Sequence, residues 1–218
     1  MLCIGFAGCE AFDVILYMGR TLTKLKYRVL IIDLSDTGAL SKAINHGMHL
    51  DSSKEIVNYR NINYIRRMPK EEELVIFKEG VILISYGLTN TENTLSCNVM
   101  NIVVNTFPHT IDKINTLVLK SELQADQLHL LVRDIISPND IDRVNEAIEF
   151  QYDNKLNYLY LDLSDYSCAV NMQEKQLFKF LRLSSGMKRY IISQIHDIFP
   201  NIKLNKINKA LTSAGKGR

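Results

Sequence analysis

Residues 2–38, LCIGFAGCEAFDVILYMGRTLTKLKYRVLIIDLSDTG, decide the fold that this sequence predicts. The run LCIGFA (2–7) is short and apolar, and residues 11–26 place apolar side chains at the spacing of one helical face. RVLIID (28–33) is a second continuous apolar run, typical of strands in parallel sheets that are covered on both faces. The stretch therefore predicts a strand, a glycine turn, a helix and a second, parallel strand.

The rest of the chain continues the alternation of strands and helices. Further strands are predicted at 62–67, 74–77, 81–85, 101–106, 128–135 and 157–163. Helices are predicted up to Gly47 and at 108–123, 138–149, 170–182 and 187–199. This order predicts an α/β fold of three layers, α/β/α, with a mostly parallel, twisted sheet. Residues 1–199 are expected to form a single domain, and residues 200–218 a basic, amphipathic tail.

Charge is distributed unevenly along the chain. The net charge is +2, from 26 basic and 24 acidic residues. Residues 200–218 hold five of the basic residues and no acidic one, so the body has 21 basic against 24 acidic residues. A mildly acidic body argues against a nucleic-acid-binding surface.

The cysteines and the apolar runs indicate in which cellular compartment we expect the protein. The four cysteines lack the spacing of a metal or redox motif, which favours free thiols in a reducing cytoplasm. They are Cys3, Cys9, Cys97 and Cys168. No apolar run approaches the roughly 20 residues of a membrane span. Glu10 and Asp13 follow the first apolar run closely, which is unlike a signal peptide. We therefore expect a cytoplasmic protein.

The opening stretch resembles the MinD/ParA group of P-loop ATPases, which includes pilus-assembly proteins of the CpaE/TadZ type. Members of this group carry the deviant loop G-K-G-G-x-G-K-[ST]-[ST] after the first strand, and then a phrase close to KxGxKVLLID. Here KLKYRVLIID (24–33) matches that phrase and aligns the loop without gaps. The resemblance is clearest over residues 5–38, and in element order it extends to about residue 199. It implies a P-loop-NTPase-like fold of the SIMIBI type.

The aligned loop keeps Gly5 and Gly8 but loses the residues that touch phosphate and metal. The family's two lysines fall on Phe6 and Ala11, its magnesium-binding hydroxyl on Phe12, and a loop glycine on Glu10. The nucleotide-binding-like loop by this alignment includes Gly5, Gly8, Cys9, Glu10, Ala11, Phe12 and Asp13. Without the lysines and the hydroxyl, nothing in the loop stabilises the negative charge that develops on the phosphate oxygens during phosphoryl transfer. Glu10 or Asp13 is expected to occupy the anion site at the helix start instead.

The switch region departs from the family in the same way. The acidic switch position falls on Ser35, although Asp36 is adjacent and Gly38 is in place, and a second acidic metal position falls on Ser85. Asp33 ends a strand at the edge where α/β folds bind ligands. Two interpretations of Asp33 stay open: a ligand-binding carboxylate or a carboxylate that stabilises a turn. We predict no metal site and no cofactor, with ATP and magnesium as the alternative.

The tail has a helical pattern of its own. Leu204, Ile207 and Leu211 fall on one side, and Lys203, Lys206 and Lys209 toward the other. This pattern suits contact with an anionic membrane surface or an acidic partner, and in character it resembles the C-terminal membrane-targeting helix of MinD. The alternative is a solvated helix end without such a role.

These features predict a degenerate, non-enzymatic MinD/ParA-like pseudo-ATPase. Its predicted role is that of a scaffold or positioning factor in a bacterial pilus, secretion or cell-envelope assembly, with peripheral contact at the inner face of the membrane. The resemblance implies protein partners, as a homodimer or a heterodimer with an active relative, and Phe6 and Phe12 are expected to supply apolar contacts there. The alternatives are an ATP-binding switch ATPase with a non-standard loop, or a plasmid or chromosome partitioning factor.

Overall fold

One eight-stranded sheet organises the described residues of the computed structural model, which are 1–44, 55–88, 95–120, 124–153, 156–176, 178 and 183–216. Its strands are β1 (Leu2–Gly8), β2 (Val29–Asp33), β3 (Val57–Tyr59), β4 (Ile62–Ile65), β5 (Val81–Gly87), β6 (Cys97–Val104), β7 (Ala125–Ile135) and β8 (Leu156–Tyr160). The strand order is β3-β4-β2-β5-β1-β6-β7-β8, and every neighbouring pair is parallel except β3 with β4. The predicted mostly parallel sheet is confirmed.

Helices cover both faces of the sheet and complete the three layers. They are α1 (Phe12–Lys24), α2 (Ala39–Ile44), α3 (Glu71–Leu74), α4 (Pro108–Lys120), α5 (Pro138–Ala147), α6 (Leu163–Glu174), α7 (Ser185–Ile198) and α8 (Leu204–Lys216). Side chains of α1, α2, α6, α7 and α8 share one apolar core, and those of α4 and α5 share the other. Successive residues of β1 enter opposite cores, because side chains alternate along a strand. This two-sided burial explains why the strand sequences are apolar without alternation.

The run LVIF (74–77) is not the strand that its composition predicts. Leu74 ends α3, and residues Val75–Phe77 form a 3₁₀ turn in which only Phe77 is buried. Three glutamates precede the run, and acidic side chains in a first turn favour the positive end of a helix over a strand. The local charge pattern therefore overrides the β-branched composition of the run.

Two other boundaries differ from the sequence prediction. Strand β3 was missed, and it pairs with β4 through a two-residue turn in which Arg60 and Asn61 both have positive φ. Helix α6 begins at Leu163 rather than at residue 170, because the Asp162 carboxylate accepts hydrogen bonds from the first-turn N–H groups of Ser164 and Asp165. The predicted helix end at Gly47 lies outside the described residues.

Helix α8 belongs to the body rather than to a separate tail. Its apolar side packs against α1, with Ile207 and Leu211 in the core shared by α1 and α7. Leu204 is exposed, as are Lys203, Lys206 and Lys209. The prediction of a free apolar face on residues 200–218 is therefore corrected, since burial against α1 leaves only the lysine side open to a partner. Among the described helices, none has the length and apolar character to cross a bilayer.

Candidate functional site

Strand β1 continues through half of the segment aligned with a phosphate-binding loop. Residues 5–8 pair with β6 in an unbroken parallel register, from Gly5 opposite Met100 to Gly8 opposite Val103. Only Cys9, Glu10 and Ala11 lie between β1 and α1, and the Cys9 N–H donates to the Val103 carbonyl at 2.8 Å. A phosphate loop binds through free backbone N–H groups. Here the backbone of residues 5–8 is paired within the sheet, and only Cys9, Glu10 and Ala11 of the aligned segment lie outside a strand or helix.

The two glycines of this segment are explained by close packing and turn geometry. A Cβ on Gly5 would lie 2.5 Å from the Met100 sulfur atom on the neighbouring strand. Gly8 has φ +104°, and a Cβ there would lie 2.3 Å from the Val103 carbonyl oxygen. Gly8 therefore requires glycine because of the backbone, and at Gly5 a larger residue would have to displace the Met100 side chain; neither reason involves a ligand.

Asp13 and Arg133 form a buried ion pair at the start of α1. The two Arg133 Nη atoms donate to the two Asp13 carboxylate oxygens at 2.9 and 3.0 Å, and Nη1 also donates to the Glu10 carbonyl at 2.8 Å. Burial alone would lower the pKa of Arg133, but the charge and hydrogen bonds of Asp13 outweigh it and raise the pKa. The Asp13 carboxylate therefore faces β7, and the N-cap residue Ala11 makes no side-chain cap.

The Glu10 carboxylate lies in the turn between β1 and α1. It accepts a hydrogen bond from the Thr37 hydroxyl, and its Oε2 has no hydrogen-bond partner within the described part of the chain. Burial raises the pKa of Glu10, the Thr37 hydrogen bond opposes this, and the charges of Asp33 and Asp36 raise the pKa further. A half-buried carboxylate beside two others makes this place unfavourable for an added anion.

Replacing Glu10 with glutamine is expected to stabilise the protein at neutral pH. Folding raises the pKa of the Glu10 carboxyl above its unfolded-state value of 4.5. The protein therefore has its full stability below that value, where the group is protonated in both states. It loses stability as pH rises through the folded-state pKa, because the buried carboxylate then ionises. The midpoint of thermal unfolding of Glu10→Gln should therefore exceed that of the wild type at pH 7, and the difference should vanish near pH 4. A difference that is the same at both pH values would contradict the raised pKa.

The switch-like residues are held by turn contacts. The Asp33 carboxylate is buried and accepts four hydrogen bonds, from the N–H and hydroxyl groups of Ser35 and of Ser41, at 2.6 to 3.2 Å. Of the two interpretations of Asp33, these contacts support the turn carboxylate that fixes the start of α2. Asp36 is exposed, and Gly38 adopts φ +59° against the Arg66 guanidinium. No three histidine, cysteine or acidic side chains of the described ranges are grouped to hold a metal.

A cavity of about 650 Å³ opens at the carboxyl ends of β1, β6 and β7. The sheet order reverses at β1, and α/β sheets place their ligand crevices at this point. Its lining is mainly apolar and includes Phe12, Phe107, Ile136, Leu161, Tyr166 and Val170, with Glu10, Arg133 and Asp134 among the charged groups. Burial raises the pKa of the Cys9 thiol at this cavity to about 11, so the thiol is protonated at neutral pH and is a poor nucleophile.

The sequence prediction identified only part of this cavity. Phe12 lines it, but Phe6 is buried in the core, so the expectation that Phe6 contacts a partner is wrong. Arg133, Ile136 and Leu161 were missed as site residues. Their one local signal is that each lies within two residues of the end of a predicted strand, where the carboxyl edge of a parallel sheet lies.

The structure is similar to solved ParA and MinD proteins, whereas no protein-family model and no curated protein matches the sequence. A ParA family ATPase from Chlorobium tepidum TLS has 10% identity and a TM-score of 0.56, over 100% of this chain and 99% of that one. A chain of the MinC:MinD cell division protein complex of Aquifex aeolicus gives 10% and 0.56, over 100% and 97%. A putative plasmid partition protein of Borrelia burgdorferi B31, bound to AMPPNP, gives 13% and 0.57, over 92% and 98%.

Sequence identities of 10% to 13% indicate a shared fold and do not indicate a shared activity. The similarity spans nearly the whole length of both chains in each comparison, so it concerns the fold as a whole rather than one part of it. With its eight-stranded, mostly parallel sheet and its helices on both faces, the chain has the α/β fold of the ParA and MinD P-loop ATPases.

Proposed function

We propose that this protein is a non-catalytic member of the ParA/MinD type, a pseudo-ATPase that acts as a scaffold or positioning factor. The observation that carries the proposal is the course of β1, which runs as a paired strand to Gly8 and leaves a three-residue turn before α1. A turn of this length, with Glu10 in it and no lysine, offers a triphosphate neither a ring of free N–H groups nor a countercharge.

The lost hydroxyl and acidic positions support the same conclusion. Phe12 stands where the family's hydroxyl ligand of magnesium would be, and the Asp33 carboxylate is engaged by Ser35 and Ser41. The Arg133 guanidinium contacts the helix start, and Asp13 already neutralises it. The fold is therefore kept while the groups that would act on phosphate are absent or otherwise engaged.

The type of assembly rests on the sequence resemblance. The phrase KLKYRVLIID resembles the MinD/ParA group with its pilus-assembly members, so we propose a bacterial pilus, secretion or cell-envelope assembly. Proteins in such a role work through protein partners, and one of the neighbouring structures is the MinC:MinD complex. The exposed lysines of α8 would supply peripheral contact with an anionic membrane.

Nucleotide binding and hydrolysis test the proposal directly. Titration calorimetry with magnesium and AMPPNP is expected to show a dissociation constant weaker than about 1 mM, because the phosphates gain few contacts. The Borrelia burgdorferi protein that was solved with AMPPNP is a positive control in the same buffer. Magnesium-dependent release of phosphate from ATP would contradict the proposal. Saturable binding without release would favour the ATP-binding switch.

A partitioning factor is the second candidate, favoured by the exposed lysines of α8 and by the partition protein among the neighbouring structures. Such a factor would bind duplex DNA with an affinity that falls steeply as salt rises. Replacing Lys203, Lys206 and Lys209 together with glutamine should then remove that binding. DNA binding that is absent at low salt would exclude this candidate and leave the scaffold role.

A further inference from the structure

An exposed apolar surface surrounds the mouth of the cavity at the carboxyl edge of the sheet. Five large side chains that are 38% to 77% exposed line it: Phe107, Ile136, Leu161, Tyr166 and Val170, together called the edge patch. Leu163 extends the patch along α6, one turn before Tyr166, and is itself 77% exposed. Contiguous apolar surface of this kind marks an interaction site on a soluble protein.

The backbone of β7 is bent beside the edge patch. The pairing of β7 with β8 shifts register between Val132 and Ile135, and Asp134 in this bulge has φ +61°. An aspartate in the left-handed region is a costly conformation that the surrounding structure must hold. The bulge places Asp134 in the lining of the cavity, which also includes Ile136.

The charges around the edge patch are mainly negative. Glu10 and Asp134 line the cavity, and Asp162 and Asp165 line the adjoining cleft that also contacts Leu161 and Tyr166. Arg133 is the single basic residue among the described lining of both, and it pairs with Asp13 at 2.9 Å and, more distantly, with the half-exposed Asp134 at 3.8 Å, so the border keeps a negative excess. An apolar floor with an acidic border is complementary to apolar side chains flanked by basic ones.

A second copy of this chain fits the edge patch poorly. A symmetric contact would bring the Asp134 carboxylates and their acidic neighbours of both copies together, and like charges in an interface disfavour it. Helix α8 of another copy carries lysines, but its Ile207 and Leu211 are buried against its own α1. The chain therefore supplies no free segment that is both apolar and basic within its described residues.

We propose that the edge patch binds an amphipathic helix of a protein partner, with its apolar side chains in the cavity and lysine or arginine residues facing the acidic border. The cavity of about 650 Å³ has room for large side chains of such a helix. This inference deepens the scaffold role proposed above and rests on it, because it identifies the surface through which the scaffold holds its partner.

A displayed peptide library tests both the apolar and the charged component. The library consists of helical segments of roughly 14 residues, about 21 Å long, with leucine or phenylalanine at the spacing of one face and a random choice of lysine or glutamate elsewhere. Selection on the full chain is expected to enrich lysine over glutamate. The selected peptides should bind the Ile136→Ser/Tyr166→Ser double variant about tenfold or more weakly.

A matched control is available on the opposite part of the surface. Ile76 is 59% exposed and lies outside the cavity lining, so Ile76→Ser should bind the selected peptides as the wild type does. Asp134→Asn should weaken binding of the lysine-rich peptides and reduce the dependence of that binding on salt. All the substituted apolar side chains are exposed, and circular dichroism of each variant checks that the fold is kept.

Several results would overturn the edge-patch proposal. These are the absence of selectable peptides, enrichment of glutamate, and binding that the double variant leaves unchanged. A homodimer in light scattering that Ile136→Ser/Tyr166→Ser dissociates would also overturn it, by showing that a second copy covers the patch. The nucleotide titration is independent of these measurements, so a failure of the peptide test leaves the pseudo-ATPase proposal standing, and a failure of that proposal is detected separately by phosphate release.

Discussion

Replacing Arg133 with methionine is expected to lower the free energy of unfolding by about 3–5 kcal/mol, because it leaves a buried carboxylate without its partner. The Asp13 side chain is 3% exposed and that of Arg133 is 16% exposed, so water cannot replace the lost guanidinium. The substitution also removes the donor to the Glu10 carbonyl, which holds the turn between β1 and α1. For a chain of this size, a loss of about 3 kcal/mol lowers the unfolding midpoint by roughly 6–12 °C.

Arg143→Met is the matched control for this prediction. Arg143 also pairs with an aspartate, Asp140, at 2.9 Å, but its side chain is 57% exposed and solvent screens the pair. Exposed pairs contribute less than about 1 kcal/mol, so this variant should unfold within a few degrees of the wild type. Thermal denaturation followed by circular dichroism compares the two. Equal losses would show that the Asp13–Arg133 pair is not energetically distinct from a surface pair.

Replacing Ile207 with alanine is expected to cost about 2–5 kcal/mol, the range for shortening a fully buried aliphatic side chain. Ile207 is 0% exposed and lies in the core between α8 and α1. The cavity left behind would face α1, whose first turn carries Asp13. Chemical denaturation gives the free energy, and an unchanged slope with denaturant would show that the fold is the same.

Leu204→Ala is the control on the same helix, because Leu204 is 50% exposed and shortening it removes little buried area. Its expected cost is within about 0.5 kcal/mol. If Ile207→Ala were as mild as Leu204→Ala, α8 would be a detachable element and the membrane role of its apolar side would be open again. The predicted difference between Ile207→Ala and Leu204→Ala means that removing residues 200–218 would expose the side of α1 that α8 covers. Substitution of the lysines is therefore a better test of the membrane and DNA roles than truncation.

The two predictions concern contacts that α1 makes on different sides. Arg133 holds the start of the helix to β7, and α8 covers its outer face. In a P-loop ATPase this helix start would present free N–H groups to phosphate. Here the turn before α1 is short, the Asp13 carboxylate in the first turn of α1 is paired with Arg133, and the lining of the adjoining cavity is mainly apolar. We therefore expect this edge of the sheet to recognise side chains rather than phosphates.

Much of the fold was predictable because its signals are local. Continuous apolar runs such as RVLIID mark strands buried on both faces, and helical spacing marks the helices between them. The two wrong secondary-structure predictions also have local causes. LVIF has the composition of a strand but follows three glutamates, and the Arg60–Asn61 turn lacks the glycine that announces a hairpin.

The site was less predictable because its contacts join distant parts of the chain. Asp13 and Arg133 are 120 residues apart in sequence, and no local pattern indicates that they meet. The segment from Gly5 to Gly8 has the glycines of a loop, but its register with Met100 to Val103 makes it a strand. A glycine that admits a neighbouring methionine and one that admits a phosphate look the same in a sequence.

The sequence by itself determined the parallel α/β arrangement and the residue types of the turn before α1, since periodicity and residue type are properties of the chain alone. Only the tertiary structure decided what the amphipathic face of α8 covers and what the Asp13 carboxylate binds. The physical reason is that an apolar face or a charge requires a partner without specifying which one. Here α1 and Arg133 meet those requirements because the folded sheet brings them within contact distance.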